Sequence, residues 1–320
     1  MSLITSQILA LKTFPGIGNK TILKIGDSFQ GILSKEELFN ILSNFKVKMK
    51  AEDGEKIPLT FEVWDEVLEA AEGILEKSKA QGIQAISYYE EKFPESLRGT
   101  LDLSGKRTNP AVLLFYRGNA ELLQSPSVAV IGSRQCLTQA AVAGRKISKA
   151  LAEKGICIVS GLALGCDTVA HEGALATNEG KTIAILGHGL DRIYPAQNKE
   201  LAKEILEKGG LLLSEYPIGT TVSNYTLVER DRLQAGLANA VVLLQSSLDG
   251  GSMHAAKVAL AYPKALFIVE YERVSTEDEK KLEGNRYLLE NGGEKISYST
   301  FCEDIQKIIQ SPNEKENVLF

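Results

Sequence analysis

The sequence predicts an α/β protein whose central part, at about residues 127–270, is Rossmann-like, with a doubly wound and mainly parallel sheet. Short apolar runs recur along this part without polar alternation, and helical stretches separate them. Strands buried on both faces have this pattern, which is typical of parallel sheets covered by helices. The runs are 128–131, 156–159, 182–186, 211–213, 241–244 and 266–269.

The segment 1–100, which precedes the sheet, is predicted to be a small helical domain. Apolar residues recur at helical spacing at Ile4, Ile8 and Leu11, and the pattern is interrupted by a Pro-Gly-Ile-Gly turn at 15–18 before it resumes. A helix, a glycine turn and a second helix are typical of a helix-hairpin-helix, whose glycines let backbone N–H groups approach a nucleic-acid phosphate. A tight turn between two core helices would give the same pattern.

One more strand is predicted between the helical domain and the first buried run. Residues 111–116 form an apolar run, and a polar Arg-Gly-Asn sequence at 117–119 ends it. We expect this strand to lie beside the main sheet. The Rossmann-like domain is therefore assigned to residues 101–310, and the polar residues 311–320 are expected to form a frayed tail.

Composition indicates an ordinary globular protein, which we expect to be cytoplasmic. The chain has 320 residues, enough for about two domains. No run approaches the roughly 18 apolar residues of a membrane span, and the first residues lack the pattern of a signal peptide. The widely spaced cysteines are expected to be reduced thiols rather than disulfides or metal ligands. A net charge of −5 counts mildly against nucleic acid, although the local field of a groove matters more.

Small residues follow several predicted strands, at the edge where α/β sheets bind ligands. Glycines allow the backbone to approach a ligand, and helix N-termini offer N–H groups to an anion. The alternative is that small residues merely let helices pack close to strands. We predict a site that binds phosphate or DNA, without catalytic residues, at Gly132, Ser133, Arg134, Ser160, Gly161, Arg230, Arg232, Gly250, Gly251 and Ser252.

Three arginines are candidates for contacts with phosphate. Arg134 follows the first strand directly, and its guanidinium can hold phosphate oxygens through two parallel hydrogen bonds. Arg230 and Arg232 lie two apart on a predicted helix and therefore do not share a face. One of the two is expected to bind the ligand, while the other pairs with Glu229 or Glu215.

The sequence argues against a dinucleotide cofactor, a metal site and a catalytic dyad. Gly132 does not begin the GxGxxG pattern of dinucleotide-binding loops, so we predict no cofactor. Asp167 and His171 lie four apart, but we favour a structural role in which Asp167 caps a helix and His171 meets a buried neighbour. His188 and His254 lack partners at ligand spacing, so we predict no metal.

Several motifs resemble, in order and spacing, those of the DNA-processing protein A family, also called Smf. The similarity also includes the Pro-Gly-Ile-Gly turn at 15–18, and it extends over nearly the whole chain. The motifs are VAVIGSR at 128–134, IVSGLALGCDTVAH at 158–171, GHGLDRIYP at 187–195, LSEYP at 213–217, RDR at 230–232 with AGLA at 235–238, and the closing GN at 284–285 with LL at 288–289 and GG at 292–293.

The resemblance implies a protein that binds single-stranded DNA through its Rossmann-like domain. It further implies a homodimer that protects incoming DNA and loads the RecA recombinase onto it during natural transformation and recombination. Single-stranded DNA, RecA and a second copy of the chain are therefore the expected partners, with no membrane involved. The resemblance implies no enzymatic activity.

The chain departs from the family pattern at two positions near the predicted site. Asp231 replaces an asparagine, which puts a negative charge close to the predicted phosphate site and counts against tight DNA binding there. Gln245 replaces an acid at the end of the fifth predicted strand.

Two alternative functions use the same pocket. The related LOG-type phosphoribohydrolases share this kind of sheet, but the chain lacks the catalytic glutamate of their glycine loop at the matching segment 249–256, so hydrolysis ranks well below binding. The other alternative is a sensor that binds a small nucleotide.

Overall fold

The computed structural model describes residues 3–44, 48–50, 56–98, 110–261, 264–272 and 274–297. The predicted tail at 311–320 lies outside these residues. The helices are α1 (Thr5–Leu11), α2 (Asn19–Asp27), α3 (Lys35–Asn44), α4 (Phe61–Ala80), α5 (Glu95–Arg98), α6 (Thr138–Ala152), α7 (Cys166–Leu175), α8 (Lys199–Glu207), α9 (Asn224–Leu237), α10 (Ser252–Ala261) and α11 (Glu283–Glu290). The strands are β1 (Lys48–Lys50), β2 (Lys56–Pro58), β3 (Gln84–Ser87), β4 (Leu113–Gly118), β5 (Ser127–Ile131), β6 (Cys157–Ser160), β7 (Thr182–Leu186), β8 (Leu211–Ser214), β9 (Ala240–Leu243), β10 (Ala265–Glu270) and β11 (Glu294–Ser297).

The predicted Rossmann-like α/β fold is confirmed. A nine-stranded sheet has the order β11-β10-β9-β5-β6-β7-β8-β4-β3. The strands from β5 to β11 pair in parallel, whereas β4 runs antiparallel to β8 and β3 antiparallel to β4. The chain winds from β5 through β6 and β7 to β8, then crosses to the other side of β5 with β9. This reversal puts a topological switch point between β5 and β9, which is where such sheets bind ligands.

The six predicted core strands are present because each apolar run is buried on both faces of the sheet. Every residue of β5, β6, β7, β8 and β9 is buried. The predicted strand at 111–116 is also present as β4, at the antiparallel side of the sheet.

The N-terminal helices pack against that antiparallel side. The indole of Trp64 on α4 is fully buried and donates to the carbonyl of Lys35 at 3.0 Å. Thr60 begins α4 by accepting from the Val63 amide at 3.3 Å. The buried side chains of α1, α2 and α4 form one continuous core with those of β3 and β4. None of the described helices combines the length and apolar character needed to cross a membrane.

Two details of the N-terminal part bear on the sequence predictions. The helices α1 and α2 flank the predicted Pro-Gly-Ile-Gly turn, in which Gly16 has a φ of 84° that favours glycine. The strands β1, β2 and β3 all fall within the segment 1–100 that was predicted to be helical, and the sequence pattern missed them. β3 has four residues, only two of them buried, so its conformation depends on pairing with β4 rather than on a local apolar pattern.

Candidate functional site

A cavity of about 360 Å³ opens at the carboxyl edge of the sheet, at the switch point between β5 and β9. Two kinds of structure line it. We call residues 132–135 of the loop after β5 and the start of α10 (residues 250–252) the loop wall, and Arg230, Asp231 and Gln234 of α9 the helix wall. Seven of the ten predicted site residues line the cavity: Gly132, Ser133, Arg134, Arg230, Gly250, Gly251 and Ser252.

The loop after β5 is clamped by backbone contacts and by Gln245. The Ser133 amide donates to the carbonyl of Gln245 at 2.8 Å. The side chain of Gln245 accepts from the Leu137 amide at 2.8 Å and donates to the Gln135 carbonyl at 3.0 Å. A Cβ at Gly132 would lie 2.6 Å from the sulfur of Cys166, so this position must be glycine for the loop to pack. The clamp orients the loop without using Arg134.

Arg134 is exposed at the mouth of the cavity. Among the described residues, its guanidinium has no hydrogen-bond or ion-pair partner within reach. Its charge acts across the cavity on Asp231, where it lowers the carboxyl pKa as one of several smaller influences. An arginine whose donors have no protein partner can give all of them to a ligand.

The second part of the loop wall is the start of α10. A Cβ at Gly251 would meet no atom within 4 Å, so the backbone there is open to the cavity. The Ser252 hydroxyl donates to the hydroxyl of Ser246 at 2.9 Å. The ten-residue helix begins at Ser252, and its amide end faces the same space as Arg134. That end carries the positive side of the helix dipole, which favours anions.

In the helix wall, by contrast, Arg230 is buried, and its guanidinium is hydrogen-bonded to other groups of the protein. Its guanidinium donates to the Gly161 carbonyl at 2.6 Å and also to the carbonyl of Ile185. It forms an ion pair with Asp231 at 3.1 Å, and Gln234 donates to the same carboxylate at 3.1 Å. Arg230 thus joins the ends of β6 and β7 to α9.

Two carboxylates balance the two arginines at the cavity. Asp167 accepts from the amides of Gly161 at 3.1 Å and Ala163 at 3.3 Å, so it holds the loop before α7. Burial raises the pKa of Asp167 to about 6, against the opposing effect of the Arg230 charge. Burial also raises the pKa of Asp231, again against Arg230. The cavity is therefore close to electrically neutral when both acids are ionised.

Three predicted residues do not line the cavity. The Ser160 hydroxyl is buried and donates to the Val130 carbonyl at 2.8 Å. Gly161 makes room for the helix wall, because a Cβ there would lie 2.1 Å from the guanidinium of Arg230. Arg232 pairs with Glu215 at 2.5 Å and with Glu229 at 3.7 Å on the other side of α9. Arg232 is thus the arginine that pairs with these glutamates, as one of the two was expected to do. Ligand binding by Arg230 stays a prediction, and its guanidinium is also paired within the protein.

Asp167 and His171 do not form a dyad. The His171 ring meets Thr182 at 2.7 Å, and the hydroxyl of Thr182 donates to the Ile158 carbonyl at 2.7 Å. The hydroxyl must therefore accept from Nδ1 of His171, which makes the imidazole a neutral donor. Burial lowers the pKa of His171 to about 3, consistent with a ring that stays neutral. Asp167, predicted as a helix cap, instead holds the preceding loop.

The first turn of α9 supplies lining residues that the sequence analysis missed. Ser223 caps this helix by accepting from the Thr226 amide at 3.1 Å, which brings Asn224 and Leu227 to the cavity. Tyr225 beside them is 70% exposed, an unusual state for a large aromatic side chain. The signal that could have found this turn is its position after β8, since helix starts that follow parallel strands lie at the carboxyl edge.

Comparisons with known proteins agree with the fold. The chain is 42% identical over 158 residues to the DNA processing protein DprA of Streptococcus pneumoniae, covering 49% of this chain and 55% of that relative. It is 37% identical over 192 residues to protein Smf of a Synechocystis species, covering 59% of this chain and 47% of that relative. The chain spans about half the length of the curated relatives it matches.

Solved structures give a similar result. The X-ray structure of DprA from Streptococcus pneumoniae matches with a TM-score of 0.74 and 29% identity, covering 96% of this chain and 98% of that one. A Helicobacter pylori DNA processing protein A, from a study of its single-stranded DNA binding mode, matches with a TM-score of 0.58 and 30% identity, covering 70% of this chain and 96% of that one. The profile of the family described as DNA recombination-mediator protein A matches residues 84–310, well over half of the chain. The chain belongs to this family.

Proposed function

We propose that the chain binds single-stranded DNA at the cavity and acts in DNA processing without cutting or hydrolysing its ligand. The observation that supports this proposal most strongly is the environment of the Arg134 side chain. Within the described part of the chain, its guanidinium is exposed at a ligand-sized cavity and has no protein partner. An unneutralised guanidinium at a glycine loop favours phosphate, the group that dominates nucleic-acid affinity.

The backbone of the loop wall supports the same ligand chemistry. Gly251 has open space where a side chain would be, and α10 begins beside it. A phosphate placed between Arg134 and this helix end would meet a guanidinium and backbone amides together. That pair of contacts is sequence-independent, as expected for a protein that handles any incoming strand.

Tyr225 supports a preference for single strands. Its ring is 70% exposed on the first turn of α9, next to the cavity-lining Asn224 and Leu227. An exposed aromatic beside a phosphate site can stack with an unpaired base, whereas a duplex hides its base faces. We therefore place the phosphate at the loop wall and a base near Tyr225.

Family membership supports the wider role. The Helicobacter pylori relative is described by its single-stranded DNA binding mode. We propose that this chain likewise acts as a homodimer, assembled through the Rossmann-like domain, and that it delivers DNA to the RecA recombinase. Both partners rest on the family resemblance rather than on the contacts of a single chain.

A small nucleotide is the second candidate ligand, favoured by the charge balance of the cavity. Asp167 and Asp231 offset Arg134 and Arg230, which suits a ligand with one phosphate and several hydroxyl groups better than a long polyanion. Hydrolysis of such a ligand is less favoured, because the carboxylate of Asp167 is already engaged by two amides.

Fluorescence anisotropy titrations with labelled single-stranded DNA, duplex DNA and free nucleotides would test the proposal. We expect tighter binding to the single strand than to the duplex, and a loss of affinity as salt rises. Equal affinity for the duplex, or no response to salt, would contradict it. Saturable binding of a nucleotide alone would favour the second candidate, and its turnover would refute the non-catalytic role.

A further inference from the structure

Two thiols lie together under the loop that carries Arg134. The sulfur of Cys136 is 3.4 Å from the sulfur of Cys166, the first residue of α7. Both are free cysteines; Cys136 is half-buried and Cys166 is fully buried. We propose that Cys136 and Cys166 form a reversible disulfide that moves the Arg134 loop, which makes this pair a site of oxidative modification on the cavity. Its effect on DNA rests on the proposed function.

Two glycines bring the segments that carry these thiols into contact. A Cβ at Gly132 would lie 2.6 Å from the Cys166 sulfur, and a Cβ at Gly165 would lie 2.4 Å from the Arg134 carbonyl. The Cys166 amide also donates to the Ser133 carbonyl at 3.1 Å. The backbone therefore holds the two cysteines side by side, so that a bond between them requires no rearrangement of distant chain segments.

The surroundings of the two thiols shift their pKa values in opposite directions and so give them different roles in disulfide formation. The hydrogen bond donated by Cys166 lowers the pKa of Cys136, and the Arg145 charge adds to this effect, while burial and Asp167 oppose it. The same contact, together with burial, raises the pKa of Cys166. Cys136 is thus the thiol that reacts with an oxidant, and Cys166 is the one that resolves the product.

The reaction balances with a hydroperoxide as the oxidant. The Cys136 thiolate attacks one oxygen of hydrogen peroxide, the O–O bond breaks, and a sulfenic acid forms while hydroxide leaves and takes a proton to become water. The Cys166 sulfur then attacks the sulfenic sulfur. The S–S bond forms, the S–O bond breaks, and the departing hydroxide takes the Cys166 proton to give a second water. Two thiols are oxidised and one peroxide is reduced.

Formation of this bond is expected to draw the loop toward α7. A disulfide holds its sulfurs about 2.05 Å apart, so the present separation of 3.4 Å must shorten. Cys136 sits between Gln135 and Leu137, whose backbone groups are both bound by the side chain of Gln245. Drawing Cys136 toward α7 strains these two hydrogen bonds and displaces Arg134, two residues away, from the mouth of the cavity.

The test uses the full chain carrying Cys302→Ser, so that the remaining cysteines are the three described ones. After hydrogen peroxide, intact mass is expected to show the loss of two hydrogens, and peptide mapping should link Cys136 to Cys166. A thiol reductant should reverse the change. Burial raises the pKa of Cys157 to about 12, so it should stay reduced and serve as the internal control. The single variants Cys136→Ser and Cys166→Ala should form no internal disulfide.

Two further readouts separate this inference from the proposed function. Hydrogen exchange at the Leu137 amide should speed up on oxidation and recover on reduction, whether or not DNA binds. Single-strand affinity should fall severalfold on oxidation in the parent chain and stay unchanged in Cys136→Ser. Accumulation of sulfenic or sulfinic acid at Cys136 with Cys166 still reduced would overturn the inference, as would a disulfide without any change at Leu137. A reduced chain that binds no single strand would overturn the proposed function instead.

Discussion

The loop wall and the helix wall face the same cavity, but their arginines differ in exposure and in their contacts with the rest of the protein. Arg134 on the loop wall is exposed and, among the described residues, has no partner. Arg230 on the helix wall is buried and bonded to two carbonyls and a carboxylate. The donors of Arg134 are therefore available to a ligand, whereas those of Arg230 bind groups at the edge of the sheet.

This contrast shows that lining a cavity is not the same as being available to a ligand. A guanidinium has five donors, and its value to a phosphate depends on how many of them remain unused. Arg230 also brings Asp231 to the cavity, so the helix wall adds little net positive charge. We therefore expect the loop wall to determine DNA affinity and the helix wall to determine stability.

The largest expected effect is the loss of stability in Arg230→Met. The change leaves Asp231 buried without its ion pair and the carbonyls of Gly161 and Ile185 without their donor. Breaking a buried pair by removing one partner costs about 3 to 5 kcal/mol. Urea unfolding followed by circular dichroism should show a drop of this size in the free energy of unfolding. A variant that keeps wild-type stability but loses DNA binding would reverse the roles of the two walls.

The next effect is a loss of binding in Arg134→Ala. Hydrogen bonds to charged groups contribute about 1.5 to 3 kcal/mol, so single-strand affinity should fall by roughly tenfold or more. The salt dependence should become flatter, because fewer phosphates are neutralised. The free energy of unfolding should stay the same, and Arg134→Lys should recover part of the affinity because a point charge lacks the guanidinium fork.

Arg117→Ala provides a matched control for Arg134→Ala. Arg117 is also exposed, but it lies at the end of β4, which runs antiparallel to β8 and so ends at the opposite edge of the sheet. Its removal takes away the same charge from the chain without touching the cavity. If both variants lost affinity equally, net charge rather than the loop wall would explain the binding.

The strands and the loops that follow them could be predicted from the sequence, because the topology of a parallel sheet determines their positions. The strands were found because burial on both faces leaves continuous apolar runs, and β7 matches its predicted run at 182–186. The loop after β5 and the start of α10 were found because loops that follow parallel strands meet at one edge.

The contacts of a side chain with residues far along the chain could not be predicted from the sequence. Arg230 binds the carbonyls of Gly161 and Ile185, 69 and 45 residues away, and no local pattern encodes those contacts. Ligand contacts of Ser160 and Gly161 stay a prediction; in the structure the Ser160 hydroxyl donates to the Val130 carbonyl, and Gly161 lies against the guanidinium of Arg230. The resemblance did single out Asp231, whose charge the structure places in the cavity.

A smaller effect, of opposite sign, is expected for Asp231→Asn. The change removes one negative charge facing Arg134 and keeps an oxygen that can accept from Arg230 and Gln234. Two charges about 6 Å apart in water interact by roughly 0.7 kcal/mol, so single-strand affinity should rise about threefold. Anisotropy titrations at fixed salt would measure it. Unchanged affinity would mean that the bound phosphate lies beyond the reach of the helix wall.

The smallest expected effect is a change of DNA affinity with pH, caused by Asp167. Burial raises the pKa of this carboxyl to about 6, so it is mostly ionised at pH 7 and mostly protonated at pH 5. Acidification thus removes a negative charge from the helix-wall side of the cavity, and a charge about 8 Å from a phosphate in water changes affinity by about twofold. Single-strand affinity should therefore rise as pH falls from 7 to 5. The rise should be smaller in Asp167→Asn, in which only Asp231, whose carboxyl pKa is also raised by burial, can still lose its charge. Both proteins should carry His254→Gln, because the charge of His254 also acts on Asp231. An equal rise in the two proteins would assign the titration to another group, and a fall in affinity would mean that the ionised carboxylate helps to hold the ligand.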